Sequence, residues 1–102
     1  MGYDGVMCLA RKEHRYYRKI NGERGDWLEV VKGCYEEANR LDGESFAGSM
    51  VFDKVGYFHN LRKLERCRIL ERDDKLSNKR ATWWFMRDVN GVGRALRELG
   101  II

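Results

Sequence analysis

Nine positions in the second half of the chain have the residue types and spacing of a polyanion-binding surface: Val55, Gly56, His59, Arg62, Lys63, Arg66, Lys75, Lys79 and Arg80. Wound as a helix at about 100° per residue, residues 53–67 place Val55, Gly56, His59, Arg62, Lys63 and Arg66 on one side. Tyr57, Phe58, Leu61, Leu64 and Arg68 gather on the other. A DNA major groove admits an α-helix, and Arg, Lys, Asn or His donors read its base edges. Arg62 and His59 are the candidates for base edges, and Lys63 and Arg66 for phosphates, which position a protein without reading sequence. Gly56 lets the backbone come close to the nucleic acid.

After this helix the period of the pattern changes to two over residues 68–72 and again over 81–87, with a polar turn at 73–79 between them. Alternation of that kind is a β-hairpin. Lys75, Lys79 and Arg80 at its tip suit backbone phosphates or the negative potential of a minor groove. Asp73 and Asp74 set negative charge at its base. In the returning strand, side chains alternate faces, so Trp84 and Met86 pointing inward with Ile69 or Leu70 leave Trp83 and Phe85 on the opposite face. Such aromatics need a cover: the C-terminal helix, the N-terminal residues or a second subunit.

Catalytic and metal-binding patterns are missing from the chain. It has no Gly-rich phosphate loop, no H-E-x-x-H and no Ser-His-Asp set in a recognisable setting. The only histidines are His14 and His59, and Cys8, Cys34 and Cys67 are widely spaced, which fits small buried thiols better than a zinc knuckle. The expectation is a protein that is not an enzyme and takes no cofactor and no metal.

The elements that position these residues follow from composition and periodicity. A chain of 102 residues with 43% hydrophobic content supports one modest core. No apolar run is long enough for a membrane helix and no signal-peptide pattern opens the chain, so a cytoplasmic location is expected. The net charge of +4 is unevenly spread. Residues 1–20 and 54–80 are basic, whereas residues 21–53 carry eight acids against three Lys/Arg. That segregation suits one face turned to a polyanion, the alternative being a solvated surface with no partner.

Residues 26–41 form the clearest helix: Asp26 is an N-cap with Glu29 three residues on, as in a capping box, and Trp27, Val31, Cys34, Ala38 and Leu41 make its apolar stripe. Its outer face holds Glu29, Lys32, Glu36, Glu37 and Arg40, and Asp42-Gly43 ends it. Residues 45–51 form a turn or two capped by Ser45, and Asp53 caps the next helix at a helix-turn-helix corner. A last helix follows the turn at 88–91, with Val92, Ala95, Leu96 and Leu99 on one face and Gly100 at its end. Residues 1–25 are read as a basic N-terminal arm or short helix, the helix covering about 12–20, with a strong turn at Asn21-Gly22. Val6 to Ala10 is an apolar run that fits a strand or a helix start equally.

Leu61-Arg62-Lys63-Leu64-Glu65-Arg66-Cys67-Arg68-Ile69-Leu70-Glu71-Arg72 resembles the end of the recognition helix and start of the wing in winged helix-turn-helix regulators of the MarR, PadR and ArsR type. Trp83-Trp84-Phe85-Met86-Arg87 is similar to their returning wing strand, and Asp88-Val89-Asn90-Gly91 leading into Arg94-Ala95-Leu96 to the opening of their final helix. The resemblance covers roughly residues 45–100, with one departure: Arg68 stands where the family usually has glycine. It implies a mainly α fold with a small β-hairpin, a winged helix-turn-helix domain over residues 26–102. It also implies sequence-specific double-stranded DNA binding by a small transcriptional regulator, commonly a homodimer, with positions 55, 56, 59, 62 and 63 toward the major groove. Two other readings stay open. One is a protein–protein interaction module on the same scaffold, anchored by Trp83 and Phe85; the other is RNA binding through the basic arm and Tyr16/Tyr17.

Overall fold

The computed structural model describes residues 1–11, 15–19, 21–55 and 61–102, with the backbone alone for residues 52–55. Along them run α1 (Gly2–Leu9), β1 (Tyr16–Arg18), β2 (Arg24–Asp26), α2 (Trp27–Arg40), β3 (Phe46–Ala47), α3 (Gly48–Val55), α4 (Arg62–Arg66), β4 (Glu71–Arg72), β5 (Trp83–Phe85) and α5 (Val89–Glu98). Two antiparallel sheets result: β1–β2, and a three-stranded sheet in the order β3-β5-β4. The fold is a mixed arrangement of helices and small sheets.

The centre of the fold is α2. Asp26 caps it by accepting the Leu28 N–H at 2.9 Å, which satisfies one of the donors orphaned at a helix start. Of its expected apolar stripe, Trp27, Val31, Cys34 and Ala38 are buried, with Val30 beside them, while Leu41 is the half-buried C-cap. Glu37 departs from that expectation. It was expected on the solvated face, but only 2% of it is exposed, and Arg40 reaches over from the next turn to bond its carboxylate at 2.9 Å. The arginine stem spans the apolar rim while its head stays at the surface.

Of residues 1–25, expected as a basic arm or a short helix, the first part is a short helix packed into the core. The apolar run at Val6 to Ala10 belongs to α1, whose Val6 and Leu9 are fully buried in the same core as Val31, Leu64 and Val92. Asp88, the N-cap of α5, accepts the Gly2 N–H at 3.0 Å, and Tyr3 donates to Glu98, so the start of α1 is tied to both ends of α5. The radius of gyration of 12.6 Å is that of a compact chain of this length, about 13 Å. The helix expected over residues 12–20 is also corrected. Tyr16–Arg18 is a strand, paired across the Asn21-Gly22 turn with Arg24–Asp26. Lys12, Glu13, His14 and Ile20 lie outside the described residues.

Two further expectations change around α3. Phe46 and Ala47 are a strand, paired with Trp84 and Trp83, and the helix starts only at Gly48. Asp53, expected as the cap that opens the next helix, therefore sits inside α3. The single helix expected over 53–67 is divided, because Leu61 is the non-helical N-cap of a separate five-residue α4. Leu61 and Leu64 are nonetheless buried, as their spacing predicts. At the far end of the chain, α5 begins at Val89, and Leu99, expected on the apolar face, is its exposed C-cap.

The exit from α4 is a Schellman turn: Ile69 N–H bonds the Leu64 carbonyl at 2.9 Å and Arg68 N–H bonds that of Glu65 at 2.9 Å. The residue that makes this turn must be left-handed, and here it is Arg68, at φ +61°. A side chain in that conformation costs on the order of 1–2 kcal/mol, and glycine escapes it at some entropic cost in the unfolded chain. Arg68→Gly is therefore expected to stabilise the protein by about 0.5–1 kcal/mol, read as a rise in the denaturant midpoint at unchanged slope. A lower midpoint would mean that the arginine side chain holds something that outweighs the strain.

Candidate functional site

Hydrophobic burial aims the basic residues. Leu64 anchors the inner side of α4, and Trp84 of β5 and Met86 just after it fill the core, as the alternation predicts. Ile69 and Leu70, of which alternation would turn in only one, are both buried, because they precede β4 and do not alternate. What remains outside is a groove of about 300 Å³ lined by Arg62, Glu65 and Arg66 of α4, Arg72 of β4, Trp84 of β5 and Thr82 just before that strand. Three guanidinium groups face one carboxylate there. Arg62 and Arg66, four apart on one helix, are like charges, a placement that costs a few tenths of a kcal/mol unless an anion relieves it. Arg72 lies directly opposite Trp84 in the sheet and makes an ion pair with Asp74 at 3.4 Å. Its position along a period-two run put it on a strand, but only the β4–β5 register brings it to the same groove as Arg62 and Arg66. Sequence reasoning missed it for that reason.

Lys63 takes a different direction from Arg62 and Arg66. It is half-buried, with Nζ 5.8 Å from the centre of the Trp27 ring, so its charge lies over the start of α2. Val55 is the last described residue of α3, and Gly56 and His59 lie outside the described residues.

The loop between β4 and β5 holds its basic residues by a chain of side-chain-to-backbone bonds. Asp73 Oδ1 accepts the N–H groups of Lys75 and Leu76, and Asn78 Oδ1 accepts those of Arg80 and Ala81. Ser77 Oγ accepts the Trp83 N–H at 3.0 Å. Short polar side chains that mimic a turn in this way fix a loop without burying it. Lys75, Lys79 and Arg80 are all exposed at its outer edge.

The Ser45 hydroxyl donates to Asp73, and with the Leu76 and Lys75 amides and the Lys75 charge it holds that carboxyl below its ordinary value of 3.8. Glu71 is lowered as well, by its paired bonds from Arg87 at 2.6 and 2.7 Å. A carboxyl with a depressed folded-state pKa contributes stability above its unfolded pKa and loses it as pH falls through the folded one. The β4–β5 loop is thus expected to loosen on acidification below about pH 4. Asp73→Asn should flatten the fall of the thermal midpoint between about pH 5 and pH 3. A midpoint that falls as steeply in the variant as in the native protein would remove Asp73 from that role.

The other face of the sheet carries Trp83 and Phe85, half-buried, with Arg87 5.7 Å from the Phe85 ring centre. Beside them is an open cavity of about 590 Å³ lined by Gly43, Glu44, Ser45, Asp73, Leu76, Trp83 and Phe85. The cover the two aromatics need is in part the arginine over Phe85.

No protein-family model, no curated protein and no solved structure matches the chain. The functional reading therefore stands on its own residues.

Among the described residues no cluster of His, Cys, Asp and Glu has the makings of a metal site. The thiols differ from the expectation of three buried groups: Cys34 is buried and its ionisation pushed up by that burial, Cys67 is partly covered, and Cys8 is exposed. Among the described residues, no helix is long and apolar enough to cross a membrane.

Proposed function

We propose that the chain binds double-stranded DNA through a winged helix-turn-helix unit over residues 26–102, as a small transcriptional regulator acting as a homodimer. The observation that carries this reading is the convergence of Arg62, Arg66 and Arg72 on one groove between α4 and the β4–β5 hairpin. The order of elements supports it. A capped helix, a short strand, two helices and a hairpin follow one another, and the strand ahead of α3 pairs with the returning strand of the hairpin. In this reading α3 and α4 are the two-helix unit and the loop bearing Lys75, Lys79 and Arg80 is the wing.

The division of the 53–67 helix shifts the expected balance of contacts. A five-residue α4 is about 7.5 Å long, enough to present Arg62 and Arg66 on one side but not to fill a major groove along its length. Phosphate contacts then dominate affinity, and Arg62 remains the candidate for a base edge.

The test is equilibrium binding to labelled duplexes across a salt series. Release of counterions from the phosphates makes log affinity fall linearly with log salt, by about 0.9 per phosphate contacted. Affinity at low salt with a steep slope supports the reading, and no affinity at low salt ends it. A second reading rests on the cavity beside Trp83 and Phe85: a protein partner anchored by aromatics there would bind with little salt dependence.

A further inference from the structure

The hairpin of β1 and β2 has two faces with opposite characters. Tyr17 points inward, stacks edge-on against Trp27 with ring centres 5.1 Å apart, and lies opposite Gly25, where any side chain would collide with its ring at 2.3 Å. The outward face carries Tyr16, Arg18, Arg24 and Asp26, since directly opposed residues share a side of the sheet. Asp26 is engaged twice, as the cap of α2 and as the partner of Arg15 at 3.0 Å. Arg18 and Arg24 stand directly opposite each other in the register, a like-charge pair that costs stability. Arg24 is fixed with its guanidinium 3.5 Å from the centre of the Tyr16 ring, so one of the two charges is held in a set orientation before any ligand arrives. Glu23, in the turn, is the nearest acid in sequence to this pair.

This face is not remote from the groove. The Trp27 ring receives Tyr17 of the hairpin and Lys63 of α4. Trp27 thus sets the hairpin beside α4, with Arg18 and Arg24 on the outer side of the hairpin, away from the buried Tyr17–Trp27 contact.

We propose that Arg18 and Arg24 form a second phosphate-backbone contact, an N-terminal clamp that grips the same duplex beyond the segment held by α4 and the wing. The inference rests on the duplex-binding reading. It accounts for two arginines placed across from one another at a cost that a phosphodiester oxygen between them would reverse.

The test is the same salt series on Arg18→Gln/Arg24→Gln and on Arg24→Gln alone, with a labelled duplex of about two helical turns. The double variant should lower affinity about 10- to 60-fold at 0.1 M salt and reduce the salt slope by between one and two, and the single variant should reduce the slope by about one. Thermal midpoints should not fall, because the substitution removes a like-charge pair from an exposed face. If both variants keep the native affinity and slope while changes in the Arg62–Arg66–Arg72 groove reduce them, the clamp is overturned and the groove reading stands. If the native protein has no affinity for the duplex at low salt, both fall together.

Discussion

Replacing Arg62, Arg66 and Arg72 together by alanine is expected to lower duplex affinity by about 10²- to 10³-fold at 0.1 M salt and to reduce the salt slope by two to three. The range comes from the number of contacts. Each arginine that neutralises one phosphate contributes about 0.9 to the slope, hence close to a factor of eight at that salt concentration. The ion pair of Arg72 with Asp74 screens part of its charge and lowers its share. All three side chains are exposed, and truncations of that kind usually change stability by less than about 0.5 kcal/mol. A loss of binding would therefore be read at the surface and not through unfolding. Within the set, Arg62→Ala should also weaken discrimination between sequences by about 1–3 kcal/mol. Lys79→Ala on the wing should weaken all sequences alike. Unaltered affinity in the triple variant would remove the groove from the interface.

The second large effect concerns stability, at Gly5. Helix propensity alone says that Gly5→Ala in α1 gains close to 1 kcal/mol. Packing says the reverse. A Cβ on Gly5 would lie 2.2 Å from the Cys67 carbonyl oxygen and 3.1 Å from Ile69 Cγ1. The obstacle is backbone, fixed by the Schellman turn that follows α4, and it cannot rotate away as a side chain could. Overpacking of that severity costs about 1–3 kcal/mol or more. It would also push α1 off α5, loosening Val6 and Leu9 and the bond from Gly2 to Asp88. The clash is expected to win, with a net loss of about 2 kcal/mol and a thermal midpoint lower by roughly 10 °C. Gly48→Ala is the matched control. A Cβ there meets only Trp84 Nε1, at 3.8 Å, so that variant should be neutral or slightly stabilised. If Gly5→Ala melts no lower than the native protein, the close approach of α1 to Cys67 is not part of the fold.

Both effects depend on parts of the chain that differ in how far they could be read beforehand. Helix α2 was legible because its determinants are local. Asp26 caps it, and Trp27, Val31, Cys34 and Ala38 repeat at the helical period, whatever lies elsewhere. The β4–β5 hairpin was legible too, since alternation within the strand itself decides that Trp84 and Met86 go in and Trp83 and Phe85 stay nearer the surface. The exposed positions of Arg62 and Arg66 follow from the helical period, and those of Lys75, Lys79 and Arg80 from their place in the polar turn between the strands.

What stayed hidden depends on distant partners. Three-residue strands have no period to detect: Tyr16–Arg18 exists because Arg24–Asp26 pairs with it and Trp27 receives Tyr17. Phe46 and Ala47 are a strand only because Trp83 and Trp84 return beside them from the far side of the β4–β5 loop. An apolar stripe over residues 53–67 fits one helix or two equally, so the separate N-cap at Leu61 left no mark in the spacing. Arg68 looked like an obstacle to the turn into the wing, yet the two hydrogen bonds of that turn hold it left-handed at φ +61°. Local sequence thus determined which faces are apolar and which are charged. Tertiary pairing alone decided that Arg62, Arg66 and Arg72 share one groove, because a strand's register sets which charges meet and no single segment encodes it.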